Sequence, residues 1–167
     1  HLKPPQKKTI NIHDVLSKVL QSAKLGFGAN IVFVEEYDPS LPLVLGDADQ
    51  LFQVFLNLIK NASEALKNGA GEIKIRTFYE HSFRLRFPDK EGLILPIQIE
   101  IIDNGVGIPS NIAEEILEPF VSGKENGKGL GLALVNKILF DHNGQISVDS
   151  NFGETVFRIS LPAVLSK

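Results

Sequence analysis

Three groups of residues in this sequence have types and spacings suited to chemistry. The first is a set of amides on one helix face. At about 100° per residue, Asn57, Asn61, Glu64 and Asn68 fall within about 60° of one another, and Lys60 borders the stripe. Asn is a poor helix former, so two of them four residues apart in mid-helix call for a reason. A neutral amide oxygen suits Mg²⁺, which prefers oxygen ligands and keeps several waters. A plain solvated face is the competing reading. The second group is Asp103-Asn104-Gly105-Val106-Gly107-Ile108-Pro109, directly after a strand. A carboxylate there can accept the exocyclic N–H of adenine and reject a base that offers an acceptor at that position. Gly105 and Gly107 would let backbone approach a flat ring. The competing reading is a tight Asn-Gly turn. The third group is Ser122-Gly123-Lys124-Glu125-Asn126-Gly127-Lys128-Gly129-Leu130-Gly131-Leu132, which leads into a helix. A Gly-rich entry to a helix N-terminus presents free N–H groups and a positive dipole end, which suits phosphate. Lys124 and Lys128 add positive charge. This stretch is neither a Walker loop nor a Rossmann fingerprint, and a flexible surface loop is its competing reading.

The elements that must position these groups are legible in the hydrophobic pattern. Asp47 to Asn68 reads as the clearest helix, with Asp47 and Gln50 at capping-box spacing and Gly69-Ala70-Gly71 ending it. Leu51, Phe55, Leu58, Ile59, Ala62 and Leu66 form its apolar face. A second helix spans Ile12 to Lys24, with Asn11 as N-cap and Gly26 as stop. A third runs from Gly129 or Leu130 to Asp141, and a short one covers Asn111 to Ile116. Strands are expected at Ile31–Val34, Glu72–Phe78 and Ile97–Ile101, with a stub at Leu43–Leu45. A final hairpin pairs Gln145–Asp149 with Thr155–Leu161 around Asn151-Phe152-Gly153. Tyr79 to Pro96 reads as a hairpin-like excursion or long loop. Interleaved strands and helices without strict βαβ repeats predict an α/β (α+β) two-layer sandwich. Its sheet is mixed and mostly antiparallel, packed by about three helices.

Composition narrows the function classes. The chain has 167 residues, enough for one domain with a real core. It has no Cys, which excludes thiolate metal sites, disulfide scaffolds and thiol nucleophiles. A net charge of −3 argues against a domain that grips nucleic acid along a basic face. No apolar run approaches membrane-spanning length, and no signal-peptide pattern opens the chain. It starts at His1 and contains no Met, as a fragment of a longer chain would.

Taken together and in this order, the motifs resemble the ATP-binding catalytic domain of sensor histidine kinases, within the wider group of gyrase B, Hsp90 and MutL. Asn57-Leu58-Ile59-Lys60-Asn61-Ala62-Ser63-Glu64-Ala65 resembles the N box, and Asp103 to Ile108 the G1 box. Glu118-Pro119-Phe120 is similar to the F box, Gly127 to Leu132 to the G2 box, and Gly153 to Phe157 to the last Gly/Thr motif. The resemblance implies a Bergerat-type ATP-binding fold over residues 10–167, with 1–9 a linker from an upstream dimerisation and phosphoacceptor domain. It implies ATP and Mg²⁺ as cofactors. Asn61 would coordinate the metal, with Asn57 and Lys60 supporting it or the phosphates. Asp103 would hold the adenine amino group, Gly105, Gly107 and Ile108 would line the ring, and Thr155 would lie close by through water. Gly127, Gly129 and Gly131 would form a lid hinge, anchored by Leu130 and Leu132. Lys124 would face the phosphate tail, and Phe120 would pack the lid or touch the partner domain. Two departures stand out. Lys128 occupies a G2 position usually held by Thr or Ser, and Gly123 precedes Lys124 where a hydroxyl is common.

A finer resemblance is to the NtrB-type nitrogen-regulatory kinases. It rests on Gln53 to Leu58 followed by Lys60-Asn61-Ala62, and on Gly129 to Ile138 followed by Asp141-His142-Asn143-Gly144. It implies a cytoplasmic histidine protein kinase with an NtrC-type response regulator and a PII-type protein as partners. Related ATPases carry a general-base Glu where Asn57 stands, so transfer to a supplied nucleophile is favoured over hydrolysis. None of His1, His13, His81 and His142 lies in a His-Glu-x-x-Asn-Pro setting, so the acceptor His is expected on the upstream domain. His142, at the end of a helix, reads as structural. The alternatives are a nucleotide-dependent interaction module of the anti-sigma-kinase kind, a degenerate kinase that only docks, or an ATPase of the same group.

Overall fold

The computed structural model describes residues 3–83, 92–105, 128–151 and 153–164, with 128–131 described by backbone alone. Local chemistry sets the helices. α1 (Ile12–Leu25) starts where the Asn11 side chain accepts the His13 N–H at 2.9 Å. Ile12, Val15, Leu16, Val19, Leu20 and Ala23 form its buried stripe. α2 (Ala48–Ala65) starts where Asp47 Oδ1 accepts the N–H groups of Asp49 and Gln50, both at 3.1 Å. Leu51, Val54, Phe55, Leu58 and Ile59 are fully buried along it, each worth about 1.5–3 kcal/mol of transfer free energy. α3 spans Lys128–Asp141.

α2 is shorter than its sequence pattern suggests. Leu66 turns extended (φ −82°, ψ 139°), and a short 3-10 turn follows over Lys67–Gly69. Asn68 takes a left-handed conformation (φ 59°) and leaves the amide stripe. The break is set in the backbone, where Asn68 and Gly69 both take positive φ. Leu66 stays buried, 6% exposed, on the side of the helix's apolar face even though its backbone has left the helix.

The strands are β1 (Lys8–Ile10), β2 (Ile31–Glu36), β3 (Val44–Gly46), β4 (Gly71–Tyr79), β5 (Ile97–Asp103), β6 (Gln145–Asn151) and β7 (Glu154–Leu161). Five form the main sheet in the order β2-β4-β5-β7-β6. Only β2–β4 is parallel there, so the sheet is mixed and mostly antiparallel as expected. β1 and β3 pair separately and antiparallel. The approach segment, read from sequence as a polar linker, therefore ends in a strand.

Alternation sorts the main sheet into two faces. Ile73, Ile75 and Thr77 of β4, Ile97, Ile99 and Ile101 of β5, and Phe157, Ile159 and Leu161 of β7 are buried on the helix side. The opposite face is more polar and partly exposed, but its centre is buried. Glu100 is 4% exposed there and accepts from Arg76 Nη1 (3.1 Å) and from Arg158 Nε (2.9 Å) and Nη2 (2.6 Å). Beside it, the Ser160 hydroxyl donates to Gln98 Oε1 at 2.9 Å, and Gln98 Nε2 donates to the Leu95 carbonyl at 2.7 Å. Leu95 is fully buried and its N–H donates to the Phe83 carbonyl, so the described base of the excursion is hairpin-like. The short helix expected at 111–116 lies outside the described residues.

Candidate functional site

β5 carries the site's carboxylate. Its core-facing positions run Ile97, Ile99, Ile101 and then Asp103, so the period of the strand aims the last side chain at the helix layer. Asp103 is 2% exposed, and Oδ1 accepts the Gly105 N–H at 2.9 Å. Burial pushes its carboxyl above the ordinary 3.8. The Gly105 N–H works against that rise, and the charge of Glu154 adds to it. A buried carboxylate with one N–H partner among the described residues is a strong acceptor poised for a donor.

Thr155 of β7 lies opposite Asp103 in the ladder and is likewise 2% exposed. Its hydroxyl is within 3.0 Å of Ser150 Oγ. On the other flank Asp103 pairs with Ile73 of β4.

Gly105 ties this strand end to α2. A Cβ built on it would lie 2.4 Å from the Ala65 carbonyl oxygen, so only hydrogen fits between the turn and the last helical residue. The turn is held from the other side by Asn104, whose Oδ1 accepts the Glu72 N–H at 3.1 Å. The Asn-Gly pair thus forms a tight structure, but not a hairpin turn. It locks the end of β5 between α2 and β4.

Asn61 sits one turn before Ala65 and is half-buried, as is Asn57 a further turn back. The Asn57 carboxamide oxygen accepts from Gln53 Nε2 at 2.8 Å. Lys60 is exposed on the adjoining face. Among the described residues no cluster of three or more His, Asp or Glu could hold a metal. A metal here would take few protein ligands and draw the rest from a ligand's oxygens or water, which suits the amide of Asn61.

The predicted residues thus divide into three sets. Asp103, Gly105 and Thr155 meet at one strand end, against the last turn of α2, which starts at Asn61. Lys128, Gly129, Leu130 and Gly131 form the first turn of α3, and Leu132, 6% exposed, is buried in the core. Gly107, Ile108, Phe120, Lys124 and Gly127 lie outside the described residues. Sequence reasoning missed Asn104 and Gln53 as supports, because their partners are set by tertiary placement or by a side-chain rotamer.

The profile described as "Histidine kinase-, DNA gyrase B-, and HSP90-like ATPase" matches residues 46–165. The chain is 63% identical over 162 residues to a "Sensory histidine kinase/phosphatase NtrB" of Rhodobacter capsulatus, covering 97% of this chain and 45% of that protein. It is 48% identical over 161 residues to the protein of the same name from Azospirillum brasilense, covering 96% of this chain and 40% of that one. The chain therefore spans less than half the length of these relatives. Among solved structures, the nucleotide-free catalytic domain of the histidine kinase ThkA superposes with TM-score 0.76 at 27% identity, covering 95% and 96% of the two chains. Full-length ShkA in complex with AMPPNP shares the fold, with TM-score 0.77 at 22% identity over 96% of this chain and 32% of that one.

Proposed function

The chain belongs to the histidine kinase-, DNA gyrase B- and HSP90-like ATPase family, and on that premise we propose that it is the Mg-ATP-binding catalytic domain of an NtrB-type sensor histidine kinase. It donates the γ-phosphoryl group to a histidine on a dimerisation and phosphoacceptor domain, for onward transfer to an aspartate of an NtrC-type response regulator in nitrogen regulation. A PII-type protein is a further partner, and the setting is cytoplasmic. Among the described residues no helix is long and apolar enough to cross a membrane.

One observation carries the reading. Asp103 is a buried, core-facing carboxylate at the end of a strand, locked by Gly105 against the last turn of the amide-bearing helix. Such a group is costly to bury and is matched by the donor N–H of an adenine. The Asn61 amide would hold Mg²⁺, which when bound neutralises charge on the phosphates. Asn57 supports transfer over hydrolysis. Its oxygen is engaged by Gln53 and an amide has no basic pair for deprotonating water. The protein's own contribution is then orientation and charge matching rather than covalent chemistry.

Titration with ADP, ATP and GTP, with and without Mg²⁺, tests the site. Adenine nucleotides should bind and GTP should not. Adding a separately produced acceptor domain with labelled ATP tests the transfer. Binding without transfer would favour a docking module instead.

A further inference from the structure

His142 is buried, 2% exposed, at the end of α3, and the sequence reading leaves it without a task beyond capping. Its two ring nitrogens face partners of fixed character. Nδ1 lies 2.7 Å from the Ile138 carbonyl oxygen, which can only accept. Nε2 lies 3.0 Å from the Asp47 backbone N–H, which can only donate. The ring must therefore be neutral, with its proton on Nδ1 and its lone pair on Nε2. Through that lone pair, α3 is clasped to the residue that caps α2.

Asp47 is itself a junction. Oδ1 accepts from the first-turn amides of α2, and Oδ2 accepts the Gln6 N–H at 2.9 Å. Gln50 Nε2 adds a bond to the Lys3 carbonyl at 2.8 Å. The approach segment, the start of the amide-bearing helix and the end of the helix that follows the Gly-rich stretch thus converge on two side chains. The clasp is closely fitted. A Cβ on Gly46 would come within 3.3 Å of His142 Cδ2, and one on Gly144 within 2.8 Å of Leu161 Cδ2.

We propose that His142 is a proton-sensitive positioning residue whose neutral ring clasps α3 to the Asp47 cap of α2 and thereby sets nucleotide affinity from the far end of the site. This rests on the nucleotide-binding reading above. A second ring proton would put a donor on Nε2 against the donor of Asp47 and break the clasp. The freed imidazolium would compete for the Asp47 carboxylate, which now caps α2 and holds Gln6. Burial lowers the basicity of His142 below the ordinary 6.5, and the bond to Ile138 opposes this. Lys7 of the approach segment lowers it further, while Asp47 and Asp141 raise it. The clasp is therefore complete above about pH 6.5 and is lost as pH falls through the depressed native value.

The test uses the 167-residue chain in three forms: wild type, His142→Gln and His142→Phe. Gln can place a carboxamide oxygen where Nε2 accepts, but it cannot take up a proton. Phe offers no acceptor. ADP affinity is measured by calorimetry from about pH 8 to about pH 5, the range in which a histidine titrates. NMR of the nucleotide-free protein follows the His142 ring nitrogens and the Asp47 amide over the same range. The wild type should lose about fivefold more affinity than His142→Gln on acidification, the equivalent of one hydrogen bond. His142→Phe should be weakened by a similar factor throughout. The Asp47 amide should titrate with the ring. Asp103, His13 and the nucleotide's own phosphates titrate in both wild type and His142→Gln, so the difference isolates His142. Equal acid profiles for these two proteins, or an Asp47 amide that ignores the ring, would overturn the inference alone. Failure of ADP to bind at any pH would overturn the nucleotide reading and this inference with it.

Discussion

Replacing Asp103 by Asn separates the carboxylate's role in binding from its effect on stability. The side chain is 2% exposed and one oxygen already accepts the Gly105 N–H. In the variant, the amide oxygen can keep that bond only by turning its NH₂ toward the base. Adenine's exocyclic amine then meets a donor instead of an acceptor. If the amide flips, the same mismatch falls on Gly105. Either way a charge-assisted hydrogen bond is lost, at about 2 kcal/mol or roughly thirtyfold in affinity. Guanine offers a carbonyl at the same place, so the variant's preference for ADP over GDP should shrink as well. Stability should move the other way. Burial raises the native pKa of this carboxyl above 3.8, so its charged form opposes folding once the pH rises through that native value. Without nucleotide, Asp103→Asn should melt at or above the wild-type temperature near about pH 7, and that gain should vanish near about pH 3. Calorimetric titration with ADP and GDP, plus thermal melts at the two pH values, measures both arms. Undiminished ADP affinity in a folded variant would refute the assignment of Asp103 to the base.

Gly105→Ala places a methyl group 2.4 Å from the Ala65 carbonyl oxygen and should cost about 1–3 kcal/mol, seen as a lower melting temperature and weaker ADP binding. Asn61→Ala should leave the fold intact and remove most of the difference between ATP titrations with Mg²⁺ and with a chelator. Asp47→Ala removes an N-cap and should destabilise by about 1–2 kcal/mol in urea denaturation. Glu100→Gln leaves Arg76 and Arg158 without their counter-charge. Because both arginines are partly exposed, the expected loss is about 1–3 kcal/mol, below that of a fully buried pair, read from the same urea midpoint.

What was legible in the sequence was local. Asn11 and Asp47 announced their helices because a cap acts within three residues of itself. The alternating isoleucines announced β4 and β5, and the order of the motifs announced the site. Asn68 misled because it continues the angular spacing of Asn57 and Asn61, yet the chain leaves the helix at an extended Leu66 and Asn68 itself turns left-handed. β1 and β3 are three residues each, too short to show a period, and their pairing is a long-range fact. Glu100 alternates with the isoleucines of β5, and yet it is 4% exposed. Its burial depends on Arg76 and Arg158 from neighbouring strands, which no spacing within β5 reveals. The His142–Asp47 bond spans 95 residues, and its meaning comes from which nitrogen holds the proton, a property of the fold rather than of the dipeptide.

The approach segment is pinned at the opposite end of α2 from Asp103. With 18 residues, that helix is about 27 Å long. Packed into the core along its length, it moves only with the domain, as a rigid rod running from the approach segment to the Asp103 end. A rigid-body turn of about 15° about the approach-segment end would sweep the Asp103 end through about 7 Å, on the scale of known domain rotations. A small rigid-body turn of the domain about its approach segment can thus carry the Asp103 end through several bond lengths while every contact inside the domain stays in place.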